Sequence, residues 1–295
     1  MSRLTTLLLL AATAASLALS SAGPRSVVVT GAGGQTGQHL FRRLLALPDE
    51  FRPLGLVRSE ESRAALLEGT GAPADSVAVA DVTDAAAVRR AAKGCDAFCV
   101  CTSAKPKMLE GVTDAETGRP VFAFPNGTPE EVDWVGQRNQ IDACGPSTHV
   151  VLCSSMGGTD PDHPLNNLGR VTDADGASRG GNILKWKRKA EVYLMGSGRP
   201  YTIVHPGGLI DEAGGERELV LGVDDGMDGT ESRTVPREDV ASVMLSALRH
   251  PDLYANRSLD LRAKEVGDGA PTTDFRELVE NFGDKNCDYS LGEVA

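Results

Sequence analysis

Residues 26–37 read Ser26-Val27-Val28-Val29-Thr30-Gly31-Ala32-Gly33-Gly34-Gln35-Thr36-Gly37. Three consecutive β-branched residues favour an extended strand, because stiff, branched side chains suit a pleated surface. Glycines then permit a sharp bend, and the segment from Thr36 to Leu47 reads as an amphipathic helix. Strand, glycine bend and helix in that order make a cradle for an anion. Gly31 allows the tight turn, Gly34 lets the backbone approach a phosphate, and Gly37 lets helix and strand pack closely. Gly33, Gln35 and Thr36 belong to the same loop, and the helix N-terminus offers main-chain N–H groups to a negative charge. The pattern points to the diphosphate of a dinucleotide.

Outward from this loop, short β-rich runs alternate with amphipathic helical segments, the signature of repeated βαβ units on a parallel sheet. The expected strands are 26–30, 53–58, 77–81, 97–101, 149–153, 201–205 and 258–262. The expected helices are 36–47, 60–68, 84–92, 130–143, 183–197 and 237–249. Asp84 starts one helix as a cap and Lys93-Gly94 ends it. Two stretches, 105–129 and 157–181, read as long loops after strands, where open α/β sheets bind ligands. The fold class is therefore α/β, a doubly wound parallel sheet of the Rossmann type, with a small C-terminal lid region.

The ends of the next strands carry the remaining binding signals. About 20 positions after the glycine loop, an acid would accept the ribose hydroxyls of NAD, and this chain has Arg58-Ser59 there. A guanidinium presents a fork of donors that suits a 2′-phosphate, so NADP is favoured over NAD. Asp81-Val82 ends the third strand, where the carboxylate either receives the adenine amino group or helps cap the following helix. Thr102 and Ser103, after the fourth strand, are small enough to line a cofactor without clashing.

Five segments in order, Gly55-Leu56-Val57-Arg58-Ser59, Val132-Asp133-Trp134-Val135-Gly136-Gln137, Ser154-Ser155-Met156-Gly157-Gly158-Thr159, 183–191 and Val235-Pro236-Arg237-Glu238-Asp239-Val240, resemble the short-chain dehydrogenase/reductase superfamily in its atypical, NmrA-like branch. The likeness covers nearly all of the chain after residue 22. It implies that Ser154 or Ser155 polarises a substrate carbonyl and that Lys189 holds the nicotinamide ribose. It also implies that His205-Pro206-Gly207 borders the nicotinamide. In that superfamily a Tyr precedes the Lys by four residues; counting back from Lys189 gives Lys185, so the usual proton donor is missing. General acid catalysis contributes about 10²–10⁴ in rate, which makes this departure consequential. The resemblance leaves two expectations side by side. One is an NADP-dependent oxidoreductase acting on a small carbonyl or enone, and the other is a catalytically silent, cofactor-binding sensor, regulator or assembly factor.

Composition sets the outer limits. The 295 residues are 41% hydrophobic and 24% charged, ordinary for one globular domain over residues 23–295, with residues 209–236 and 263–295 as lid and C-terminal segment. A formal charge of −11 argues against nucleic-acid and anionic-membrane partners. The six cysteines follow no CxxC spacing, so the sequence indicates no metal site and reads as buried free thiols. Arg3, the apolar run 4–19 and Ser20-Ser21-Ala22 read as a cleavable signal-type leader, toward the secretory pathway or a plastid. The substrate and the oligomeric state, a homodimer included, stay open.

Overall fold

The computed structural model describes residues 23–113, 118, 120–172 and 178–295; the leader read over residues 1–22 lies outside them. The strands are β1 (Arg25–Thr30), β2 (Phe51–Val57), β3 (Val77–Val79), β4 (Ala97–Val100), β5 (Lys107–Thr113), β6 (Pro120–Ala123), β7 (His149–Cys153), β8 (Val171–Thr172), β9 (Ser178–Arg179), β10 (Tyr201–Pro206), β11 (Gly208–Ile210), β12 (Leu219–Gly222), β13 (Thr234–Pro236) and β14 (Arg257–Ala263). The α-helices are α1 (Gln35–Leu45), α2 (Glu60–Thr70), α3 (Ala85–Ala91), α4 (Gln137–Ala143), α5 (Ile183–Gly196), α6 (Arg237–Arg249), α7 (Pro251–Tyr254) and α8 (Phe275–Phe282).

Eight strands form one sheet in the order β12-β14-β10-β7-β4-β1-β2-β3. Every pairing in it is parallel except β12 on β14. Alternation along the strands feeds two cores. Val27 and Val29 of β1 pack with Leu40, Phe41 and Leu44 of α1 and with Val240 and Met244 of α6. Val28, between them, packs on the opposite face with Val88, Ile141 and Leu194 of α3, α4 and α5. Burial on both faces explains why the central strands are nearly all apolar.

The chain order reverses at β1, whose neighbours are β2 on one side and β4 on the other. Such a switch point leaves a crevice at the carboxyl ends of the strands. The segment expected as one helix over 130–143 begins instead as a π-helical turn, Glu130–Gly136, before α4. A Cβ on Gly136 would lie 2.9 Å from Val82 Cγ2, so this glycine admits the close approach of the β3 loop. Within the stretches expected to be loops, β5 pairs with β6 and β8 with β9, both antiparallel. Beyond β14, the chain forms α8 and returns to α5, where Arg188 donates to the Asp288 carbonyl (2.8 Å) and Lys185 pairs with Glu293 (2.6 Å).

Candidate functional site: two clefts at the carboxyl ends of the strands

The glycine loop leaves β1 with Gly31 at φ +64°, a conformation that disfavours any side chain. A Cβ there would also lie 2.7 Å from the Cys101 carbonyl oxygen, and one on Gly37 would run into the Gly31 carbonyl. The Gly34 N–H closes the turn onto Gly31 O at 2.7 Å, and Gly34 is the N-cap of α1 with no side chain filling the cap. Gly33, Gly34 and Gln35 are exposed, and Thr36 follows in the first turn of α1. An uncapped helix start beside a glycine bend suits an anionic diphosphate. Behind the loop, Thr30 donates to Gln140 Oε1 (2.7 Å), whose amide nitrogen donates to Thr102 (3.2 Å), so the ends of β1 and β4 are tied to α4. Gln140 carried no recognisable sequence signal.

The first cleft, about 680 Å³, opens beside this loop and is lined by Gly31, Gly33, Gly34, Arg58, Asp81, Val82, Thr102, Ser103 and Lys105. Arg58 crosses its mouth and donates to the Asn126 carbonyl at 2.9 Å. Ser59 does not line the cleft; its hydroxyl caps α2 by accepting from Ser62 N. One carboxylate oxygen of Asp81 accepts from the N–H (2.8 Å) and hydroxyl (2.7 Å) of Thr83, while Asp84 caps α3.

The second cleft, about 770 Å³, lies beyond the ends of β7 and β10. Ser154, Ser155, Pro206 and Gly207 form its floor, with His163, Leu209, Met227 and Arg237 around them. A Cβ on Gly207 would sit 2.5 Å from the Arg233 carbonyl oxygen, so β10 must leave the sheet without a side chain there. Gln35 and Arg237 both donate to Asp211, at 2.9 and 2.8 Å, and so join the glycine loop to this cleft.

Lys189 stands in neither cleft. Its ammonium lies 4.8 Å from the Trp186 ring centroid and 5.0 Å from that of Trp134, a pair of cation–π contacts. The buried ammonium of α5 is that of Lys187, 2.8 Å from Asp133 Oδ1, and Asp133 Oδ2 accepts from Ala104 N just past β4. The reason is helical spacing: Ile183, Leu184, Lys187, Ala190 and Leu194 share the buried stripe of α5, and position 189 falls outside it. The residue four before Lys187 is Ile183, so here too no phenol precedes the ammonium. Tyr193 donates to Asp142 (2.6 Å) and packs edge-on against Trp134, away from the clefts.

His205 also turns away from the second cleft. It is buried between Glu191 (3.3 Å from Nε2) and Asp260 (3.2 Å from Nδ1), and Ser154 donates to the other oxygen of Glu191. Burial alone would lower the His205 pKa, but Glu191, Asp260 and Cys287 outweigh it and raise it well above the ordinary value. Burial likewise pushes Glu191 up, and His205, Ser154 and Arg188 more than reverse this. Of the two serines, Ser155 is the one not engaged by this network; its hydroxyl donates to Met156 O at 2.9 Å. Burial pushes the Cys153 thiol up to about 11, which disfavours the reactive thiolate.

A largely parallel sheet with a glycine-loop crevice at its switch point defines a dinucleotide-binding protein of the Rossmann class. The NAD(P)H-binding family matches residues 31–251, and the chain belongs to that family. An uncharacterized chloroplastic protein of Arabidopsis thaliana is 44% identical over 88% of this chain and 76% of its own length. Sanguinarine reductase of Eschscholzia californica is 40% identical over 86% of this chain and 94% of its own length. Among solved structures, one named as an NAD-dependent epimerase/dehydratase from Bacillus halodurans superposes with a TM-score of 0.63 at 21% identity, over 87% of this chain and 99% of that one. The likeness to that structure establishes the fold. Among the described residues no helix is long and apolar enough to cross a membrane.

Proposed function

We propose that the chain is an NADP(H)-dependent reductase of a small electrophile, a carbonyl or enone, working in a plastid. The observation that carries the reading is the pair of clefts at the carboxyl ends of the strands, the glycine cradle on one and Ser155 on the other, linked through Gln35, Asp211 and Arg237. Main-chain amides of Gly33 to Thr36 would hold the diphosphate, Arg58 and Lys105 would meet a 2′-phosphate, and Asp81 with Val82 would border the adenine. Lys187, buried against Asp133 behind the end of β4, would position the nicotinamide end of the site from behind rather than touch it, and Pro206-Gly207 would border the ring. The bound nicotinamide supplies the hydride. Ser155 donates a hydrogen bond to the substrate oxygen, drawing electrons from the carbon that receives it. The proton then comes from water in the open cleft, because Ile183 occupies the position where a phenol would supply it. Sanguinarine reductase, at 40% identity over nearly its whole length, supports a reductase, and the chloroplastic relative supports the plastid.

Ile183 also favours a second reading, a cofactor-binding regulator without turnover. Steady-state NADPH oxidation against a panel of carbonyls and enones separates the two. The reductase reading expects turnover, reduced at least 10-fold in Ser155→Ala with NADPH affinity retained. Tight NADPH binding with no turnover across the panel leaves the regulator.

A further inference from the structure

Behind the second cleft, three side chains that are far apart in the sequence converge on one point. His205 is the penultimate residue of β10, Asp260 is its register partner on β14, and Cys287 lies in the segment after α8. His205 Nδ1 is 3.2 Å from Asp260 Oδ1 and 3.7 Å from Cys287 Sγ, and the sulfur is 3.9 Å from the same oxygen. We propose that His205, Asp260 and Cys287 bind a single divalent d-block cation of the zinc class.

Bonds of about 2.0–2.3 Å at tetrahedral angles place nitrogen, oxygen and sulfur ligands roughly 3.3–3.6 Å apart. The three separations therefore close on an ion with shifts of a few tenths of an ångström. Imidazole, thiolate and carboxylate together are a donor set that selects zinc-like ions over calcium or magnesium. A void of about 10 Å³, bordered by His205, Asp260, Cys287, Glu191 and Asp225, adjoins the triad, room for one small occupant.

The supporting contacts match what a metal site requires. A ligating imidazole ordinarily donates its other N–H to a carboxylate, and Glu191 stands 3.3 Å from Nε2, itself held by Ser154. The second oxygen of Asp260 accepts from Asp225 N at 2.7 Å, which sets the carboxylate's orientation. Cys287 is fixed through its own backbone: its N–H reaches Ser258 O at 3.3 Å, and Asn286 beside it accepts from Ser258 N at 2.7 Å. Arg188, the neighbouring cation, donates to Asp288 O and stacks on Tyr289 at 4.4 Å, engaged with the C-terminal segment. Metal binding requires a neutral imidazole and a thiolate, so a dication entering here would displace to solvent whatever protons these groups carry. The bound ion would clamp the C-terminal segment to β10 and β14, directly behind the Ser155 loop.

The test uses the full chain after chelator treatment, titrated with cobalt(II) and then zinc(II). One equivalent of cobalt is expected to give thiolate charge-transfer absorption that zinc abolishes. Cys287→Ser should lose that absorption and weaken zinc at least 10-fold, while Glu191→Gln should keep it and weaken zinc 10–100-fold. Circular dichroism checks that each variant is folded. In the unmodified chain, saturating zinc should slow alkylation of Cys287, followed by peptide mass. An absence of cobalt–thiolate absorption, its persistence in folded Cys287→Ser, or an alkylation rate indifferent to zinc overturns the proposal.

Discussion

Replacing Lys187 by Met removes an ammonium whose side chain is 6% exposed and leaves Asp133, fully buried, without its ion partner. The methionine keeps the volume, so the cost is electrostatic: breaking a buried pair from one side costs about 3–5 kcal/mol, because the remaining carboxylate has lost both water and counter-charge. The Ala104 N–H bond offsets only part of this. Lys189→Met instead removes two cation–π contacts on a half-buried face, worth about 0.5–1 kcal/mol each. Urea unfolding at pH 7 should therefore show Lys187→Met less stable than Lys189→Met by about 1–4 kcal/mol, with little change in slope. Adding Asp133→Asn to Lys187→Met should recover at least half of the loss, since the orphaned charge is then gone. NADPH titration followed by Trp134 and Trp186 fluorescence should find weaker binding in Lys187→Met and unaltered binding in Lys189→Met. A loss under 1 kcal/mol in Lys187→Met, or a larger effect on NADPH at Lys189, refutes the assignment of Lys187.

Two further outcomes are expected. Arg58→Asp should weaken NADPH far more than NADH, at least 10-fold in relative terms, because it replaces a donor fork at the first cleft with a repelling charge; equal loss for both would remove Arg58 from phosphate recognition. Burial lowers the His149 pKa to about 4, whereas the unfolded chain titrates near 6.5, so the unfolded state takes up the proton first and stability falls as pH drops through that window. The full contribution is about 3 kcal/mol. His149→Gln should flatten the corresponding part of the stability profile between pH 6.5 and 4, as measured by urea unfolding, and an unchanged pH dependence would rule out this residue.

Wherever function depends on local chain geometry, the primary structure was legible. The run Val27-Val28-Val29 could only be a strand, and a glycine at 31 is demanded by a positive φ that neighbouring residues cannot relieve. His149–Cys153 and Arg237–Arg249 fall at the expected boundaries, since their apolar patterns end abruptly at turn residues. β12 and the β5–β6 hairpin were not foreseen. β12 is short and owes its form to β14, about 40 positions away, while β5 and β6 form a hairpin apart from the main sheet, with β5 exposed along its whole length, so neither shows the hydrophobic period of a buried strand.

The amino-acid order by itself determined the parallel sheet, the glycine cradle and the absence of an acid at the second strand's end, because each follows from backbone conformation or a single residue's charge. Tertiary structure alone decided which lysine of α5 is buried, where His205 points, and that Cys287 returns to meet Asp260. Those outcomes depend on how helices rotate onto a sheet and where a chain end docks, and both are set by packing among residues tens of positions apart.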